Sequence, residues 1–222
     1  MNRTKIEWTD FTWNPVTGCE YGCSYCYARS ITKRFPGLYP NGFEPTYHPE
    51  RLEEPHRLKK PSKIYVVSMG DLLGDWVPDL WIDSVIRAAH ECPQHIFQFL
   101  TKNPIRYLNF YFPENCWLGV TIEAESKSKR FYDFFGAIID KHNKTFVSFE
   151  PLLGSVGLNK GQFNAFDWVI VGAQTGPNAK QPEKKWVEEI ITEARKANCA
   201  IFLKDNLEWH EKIQEWPNGR GD

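Results

Sequence analysis

The sequence predicts an α/β fold: a partial (β/α) TIM-like barrel of about six or seven parallel strands, formed by residues 1–222 as a single domain. Three observations predict it. Seven short apolar runs recur along the chain: Phe11–Trp13, Ile64–Val67, Ile96–Leu100, Trp117–Val120, Phe146–Phe149, Trp168–Val171 and Ala200–Leu203. They are continuous rather than alternating, as strands buried on both faces are. They recur every ~32 residues, the length of one βα unit. Between several of them lie one-faced helical patterns.

The clearest helix follows Pro78-Asp79, with Trp81, Ile82, Val85, Ile86 and Ala89 on one face and an acidic first turn. A second follows Pro182, through Trp186, Val187, Ile190, Ile191, Ala194 and Ala197. Residues 125–141 give a weaker third. A full eightfold barrel takes ~250 residues, more than the 222 present. An open doubly wound sheet is the alternative architecture, but no Gly-x-Gly-x-x-Gly follows the first strand. One stretch breaks the alternation: a Pro-rich insertion at about 35–62, with prolines at 36, 40, 45, 49, 55 and 61 and the cations Arg51, Arg57, Lys59 and Lys60. It reads as a surface excursion or a functional loop. The tail from Pro217 to Asp222 reads as frayed.

Composition narrows the function classes. Lys+Arg 27 against Asp+Glu 28 leaves a formal charge of -1, which argues against a protein wrapped around duplex DNA. No run of ~18 apolar residues is present, so no membrane span is expected. The first residues carry Glu7 and Asp10 instead of a secretory apolar core. Six cysteines are too few for a disulfide scaffold of this size, and three of them crowd together. A reducing cytoplasm is the expected compartment.

Those three are Cys19, Cys23 and Cys26, spaced C-x3-C-x2-C in a loop after the first strand, with Gly18 and Gly22 allowing the chain to turn back. Three thiolates so placed can hold zinc if a fourth ligand arrives, for which His48 and His56 are candidates, or an iron–sulfur cluster. Three ligands on a four-iron cluster leave one iron open to a small chelating molecule. Cys92, Cys116 and Cys199 lie at a helix end and beside strands and read as small buried hydrophobes.

With Tyr25 directly before the third cysteine, this motif resembles the radical S-adenosylmethionine signature. More closely, the chain resembles the Gp37/Gp68-type phage family of radical-SAM-like proteins, DUF5131. The matching pieces are Ile6-Glu7-Trp8-Thr9-Asp10, Trp13-Asn14-Pro15-Val16-Thr17-Gly18-Cys19, Cys26-Tyr27-Ala28, Phe99-Leu100-Thr101-Lys102, Trp117-Leu118-Gly119-Val120, Ser148-Phe149-Glu150-Pro151-Leu152-Leu153-Gly154 and Asp167-Trp168-Val169-Ile170-Val171-Gly172. The resemblance implies a [4Fe–4S] cluster on Cys19, Cys23 and Cys26, with S-adenosylmethionine as the second cofactor. It implies reductive cleavage to methionine and a 5'-deoxyadenosyl radical, fed by a low-potential electron donor. It brings no substrate with it.

Each strand ends in polar residues where such barrels carry their chemistry: Ser68-Met69-Gly70-Asp71, Thr101-Lys102, Glu123, Glu150, Gln174 and Lys204-Asp205. Under the resemblance, Ser68, Met69, Gly70 and Asp71 stand where the family usually has Gly-Gly-Glu and face the ligand's ammonium. Lys102 and Thr101 suit its carboxylate, with Lys204 as a further cation. Glu123 and Gln174 suit ribose hydroxyls or adenine edges, and Tyr25 offers its backbone and ring to adenine. Glu150, aimed by Pro151, and Lys204 are the candidate substrate-side catalytic groups. The basic residues of the insertion, set among aromatics, make a nucleotide or nucleic acid the candidate substrate. The alternative function is a non-catalytic iron–sulfur or zinc module, either a redox sensor or a phage-encoded interaction protein. The sequence is silent on oligomeric state.

Overall fold

In a computed structural model, residues 1–125, 128–176 and 179–217 are described. The strands are β1 (Asn2–Arg3), β2 (Phe11–Trp13), β3 (Val16–Thr17), β4 (Thr46–Tyr47), β5 (Lys63–Val66), β6 (Ile96–Thr101), β7 (Cys116–Thr121), β8 (Thr145–Phe149), β9 (Trp168–Val171) and β10 (Ala200–Leu203). The α-helices are α1 (Tyr27–Arg34), α2 (Asp79–His90), α3 (Lys129–Ile138), α4 (Lys160–Phe163) and α5 (Lys184–Lys196). The main sheet has eight strands in the order β1-β2-β5-β6-β7-β8-β9-β10, and β3 pairs with β4 separately. β1 runs antiparallel to β2, whereas β2 with β5, β5 with β6, and β7 through β10 pair in parallel. The α/β class and the seven predicted strands are therefore as the sequence implies, each within a residue or two of its expected ends. The described residues fall into two compact units, divided at Trp117 and Leu118.

In the first unit the core gathers Trp13, Ile64, Phe97 and Tyr107, each wholly buried, and each such side chain contributes roughly 1.5–3 kcal/mol by leaving water. α2 buries Ile82, Val85, Ile86 and Ala89, the apolar face its spacing predicts. Asp79 opens the helix and Arg87 and His90 close it, matching charge to its dipole. Arg106 anchors the chain ahead of that helix by donating to the carbonyls of Gly74 and Val77 and pairing with Asp79. Elements beyond the expected set are present here: β1, β3 and α1 are additional, and the Pro-rich insertion supplies β4 and short 3-10 turns at Pro49–Arg51 and Pro55–Arg57.

In the second unit Phe146, Phe149, Phe163 and Trp168 are fully buried. α5 packs through Val187, Ile190 and Ala194. α3 occupies the middle of the predicted 125–141 helix and stacks Phe134 on Phe166 at 5.6 Å. Residues 126 and 127 of that prediction, and 218–222 of the frayed tail, lie outside the described residues. Beyond β10 the chain returns antiparallel to it: Leu203 N–H donates to Ile213 O at 2.7 Å and Glu215 N–H to Ile201 O at 2.8 Å.

Candidate functional site

The three cysteines lie in the first unit, between β3 and α1. Cys26 is the N-cap of α1: its Sγ accepts from the Arg29 amide at 3.4 Å, so the sulfur sits at the positive end of the helix dipole. Cys23 is one turn away, its carbonyl accepting from Cys26 N–H at 3.2 Å. Cys19 arrives from the other side. Its thiol is pushed up to about 12, first by burial and then by the negative charges of Asp71, Cys23 and Cys26, against one backbone hydrogen bond from Tyr21. All three are half-buried and free. Among the described residues no three His, Cys, Asp or Glu side chains converge on a position for a single metal ion. A mononuclear zinc site needs its thiolates ~2.3 Å from one atom, whereas a cluster spreads them over several irons.

The loop is fixed to the turn after β5. Gly18 N–H donates to Met69 O at 2.9 Å, and Gly18 and Gly70 pair as an isolated parallel bridge. Both must be glycine. A Cβ on Gly70 would lie 2.5 Å from Gly18 O, and one on Gly18, whose φ is +92°, would lie 2.3 Å from Glu44 O. Asn14 Oδ1 holds the same turn, accepting from Met69 N–H at 2.8 Å and Ser68 Oγ at 3.2 Å. Tyr27 donates its hydroxyl to Ser68 O at 2.5 Å. The turn itself begins at Val67, a β-branched residue in the left-handed region with φ 58°.

Asp71 is buried, and its carboxylate is spent on protein donors. Oδ1 accepts from Thr101 Oγ1 at 2.7 Å and Leu73 N–H at 3.1 Å, and Oδ2 from Lys102 N–H at 2.8 Å. Burial raises its pKa against the pull of those donors. Thr101 is likewise buried and engaged. Asp71 thus ties the turn after β5 to the end of β6, and so fixes the backbone from which Lys102 extends. The Lys102 ammonium lies 5.8 Å from the Tyr25 ring centroid, a cation–π distance. So Ser68, Met69 and Gly70 border the cysteine loop, Lys102 lies over its Tyr25, and Asp71 with Thr101 holds that arrangement from behind.

The Pro-rich insertion turns out to brace this loop. β4 pairs with β3, Cys19 N–H donates to Phe43 O at 3.2 Å, and His48 Nε2 is 2.9 Å from Thr17 Oγ1. Arg51 also serves the protein: Nη1 donates to Asn14 O at 2.9 Å, and its own carbonyl accepts from Trp13 Nε1 at 2.8 Å. Asn14, Gly18, Arg29 and Phe43 all support the loop, and of these sequence reasoning gave a role only to Gly18, as a turn residue. The one available signal was the unbroken run Trp13-Asn14-Pro15-Val16-Thr17-Gly18-Cys19.

The second unit carries its own strand-end polar groups. Lys204 Nζ pairs with Glu150 Oε1, both mostly buried. Gly172 makes room for the pair, since a Cβ there would lie 2.9 Å from Lys204 Cδ and 3.0 Å from Glu150 Cδ. Glu123 is buried and paired with Arg130, which also donates to Thr121 O at 3.0 Å, so its carboxylate serves the protein. Gln174 is half-buried two residues beyond Gly172.

A family model described as "Protein of unknown function (DUF5131)" matches residues 3–220. The chain belongs to that family. No curated protein matches the DUF5131 chain. Among solved structures it is similar to spore photoproduct lyase complexed with dinucleoside spore photoproduct, at TM-score 0.55 and 9% identity, over 91% of this chain and 79% of that one. A single-site mutant of that lyase with the same ligand matches at TM-score 0.53 and 10% identity, over 91% and 79%. A double mutant of the lyase, with bound AdoMet and dinucleoside spore photoproduct, matches at TM-score 0.50 and 12% identity, over 88% and 63%. At these identities the likeness shows that the DUF5131 chain shares the fold.

Proposed function

We propose that the chain is a radical S-adenosylmethionine enzyme with a [4Fe–4S] cluster on Cys19, Cys23 and Cys26. The observation that carries this reading is the crossing of Gly18 and Gly70, which sets three free thiols beside the turn after β5 and the Tyr25–Lys102 pair. The donor set fits such a cluster in chemistry, being three half-buried thiols, one of them at a helix N-terminus. When bound, the cluster supplies one low-potential electron for reductive cleavage of S-adenosylmethionine. The residues bind and orient. Lys102 holds the ligand's carboxylate with Tyr25 beside it, and the backbone carbonyls of Ser68, Met69 and Gly70 receive its ammonium. Asp71 and Thr101 act one step back by fixing Lys102. Glu150 and Lys204 are the proposed substrate-side groups, each holding the other's charge until substrate displaces it. Glu123 and Gln174 remain proposed ribose or adenine contacts.

A nucleotide-containing substrate is the class we propose. The folds matched were solved with a dinucleoside ligand, and Arg57, Lys59 and Lys60 lie at the surface of the insertion. A low-potential donor and a reducing cytoplasm complete the proposal, six cysteines with no disulfide between them suiting the latter. No helix among the described residues is long and apolar enough to cross a membrane.

The test is anaerobic reconstitution followed by incubation of the reduced protein with S-adenosylmethionine. Brown protein with about four irons per chain should release 5'-deoxyadenosine in excess of S-adenosylhomocysteine. An intact reduced cluster with ligand bound and neither product formed would support the non-catalytic module instead.

A further inference from the structure

We propose that Arg29 and Phe43 are positioning residues that hold Cys19 where it can ligate iron, an inference that rests on the cluster reading above. Cys23 and Cys26 are placed by the start of α1, one as its N-cap and the other a single turn before it. Cys19 is not. It lies upstream of Gly22, whose φ of +67° lets the loop reverse, so something else must fix its backbone.

Arg29 and Phe43 do so from both sides. Cys19 N–H donates to Phe43 O at 3.2 Å, and Cys19 O accepts from Arg29 Nη2 at 3.1 Å. The two clamps are joined, because the guanidinium carbon lies 4.8 Å from the Phe43 ring centroid. Arg29 Nε is buried with no hydrogen-bond partner among the described residues, a polar cost that the stacked position imposes. The backbone amide of Arg29 also donates to Cys26 Sγ, so one residue touches both ends of the three-cysteine motif. Supporting partners of this kind set ligand geometry, and their loss commonly weakens metal retention 10–100-fold, a figure of about that order being expected here. A cavity of about 450 Å³ lined by Cys19, Arg29, Lys33, Tyr39 and Phe43 opens beside the guanidinium. It gives a small cation room to enter when the side chain is cut back.

The experiment compares wild type, Arg29→Ala, Arg29→Lys and Phe43→Ala by iron per chain, cluster retention against a chelator, and the electron paramagnetic resonance of the reduced cluster. Arg29→Ala should lose cluster about tenfold faster than wild type while the metal-free unfolding midpoint holds, and Phe43→Ala, which keeps the carbonyl bound to Cys19 and removes only the ring over Arg29, should lose it faster than wild type by a smaller factor. Millimolar methylguanidinium should restore retention in Arg29→Ala, methylammonium should not, and Arg29→Lys should recover only part of it. Wild-type retention and an unchanged spectrum in both alanine variants would overturn the proposal. So would a loss matched by a lowered unfolding midpoint and not rescued. A wild-type chain that takes up no iron at all is a separate result, which removes the cluster reading and this inference with it.

Discussion

Gly18 donates its amide to the carbonyl of Met69 at 2.9 Å, and beside that bond a side chain on Gly70 would strike Gly18 O while one on Gly18 would strike Glu44 O. The cysteine loop and the turn after β5 are thereby joined backbone to backbone. The geometry of the proposed ligand site depends on two glycines, Gly18 and Gly70, that have no side-chain chemistry at all.

Gly70→Ala should therefore impair the site more than its size suggests. Its Cβ would meet Gly18 O at 2.5 Å, a contact that backbone movement alone can relieve. We expect a loss of about 1–3 kcal/mol in urea unfolding, together with poorer iron uptake on reconstitution. Gly18→Ala should be worse, since it adds a positive φ to a 2.3 Å clash. Unaltered midpoints in both variants would show that the loop yields at both glycines.

Cysteine substitutions should divide cleanly. Replacing Cys19, Cys23 or Cys26 by alanine should abolish most cluster loading, whereas Cys92→Ala, Cys116→Ala and Cys199→Ala should load normally. Cys199→Ala should instead lose about 1–2 kcal/mol of stability. Its buried thiol donates toward Phe166 O at 3.0 Å and Phe163 O at 3.2 Å, and alanine leaves both carbonyls poorer. Iron analysis beside thermal melting separates the two classes.

Asp71→Asn should act on the fold before it acts on any ligand. The carboxylate accepts from Thr101, Lys102 and Leu73, and an amide must turn a donor toward one of them. A cost of about 2–3 kcal/mol is expected in denaturant unfolding of the metal-free chain. If that chain is as stable as wild type while S-adenosylmethionine binding falls, the carboxylate belongs to the ligand after all.

Acid should weaken the first unit through His95. The ring is 1% exposed, with Nε2 3.2 Å from Pro55 O, and burial followed by nearby His56 holds its pKa below the usual histidine value. A folded pKa below the unfolded one means that the unfolded chain binds more protons between the two. Its stabilising contribution is present above pH ~6.5 and is lost as pH falls through the folded value. Urea midpoints should decline from pH ~7.5 to ~5, and His95→Gln should flatten that decline. His48, lowered chiefly by burial, leaves a residual slope. An equally steep profile in His95→Gln would assign the titration elsewhere.

The strands were legible because burial on both faces writes an uninterrupted apolar run: Trp168–Val171 is buried at every position and could be read as nothing else. α1 was not legible, since Tyr27–Arg34 is short, largely polar and buries only Ala28 and Thr32. Its start is marked by a cysteine cap, not by Ser, Thr, Asp or Asn. The cysteine motif was the plainest signal in the sequence, but what holds it was hidden. Phe43 reaches Cys19 through a backbone carbonyl, which no side-chain pattern reveals. Asp71 shows the opposite difficulty. A carboxylate at a strand end invites a ligand role, and only the distances to Thr101 and Lys102 show that the protein already uses it.

The antiparallel segment at 213–215 has a consequence for the behaviour of the chain at high concentration. A parallel sheet ending at β10 would offer a row of bare amides and carbonyls to any neighbouring chain. Here Leu203 and Ile201 are already paired with Ile213 and Glu215, and Trp216 stacks on Trp168 at 4.7 Å to keep the segment in place. Glu215 also carries the bidentate Arg195 pair, at 2.6 and 2.7 Å, which sets charge along that rim. At the other end of the strand order, β1 covers β2 with only two residues, too short to template a partner. Cutting the segment loose should first appear as self-association: turbidity on warming, well before the parallel strands themselves unfold.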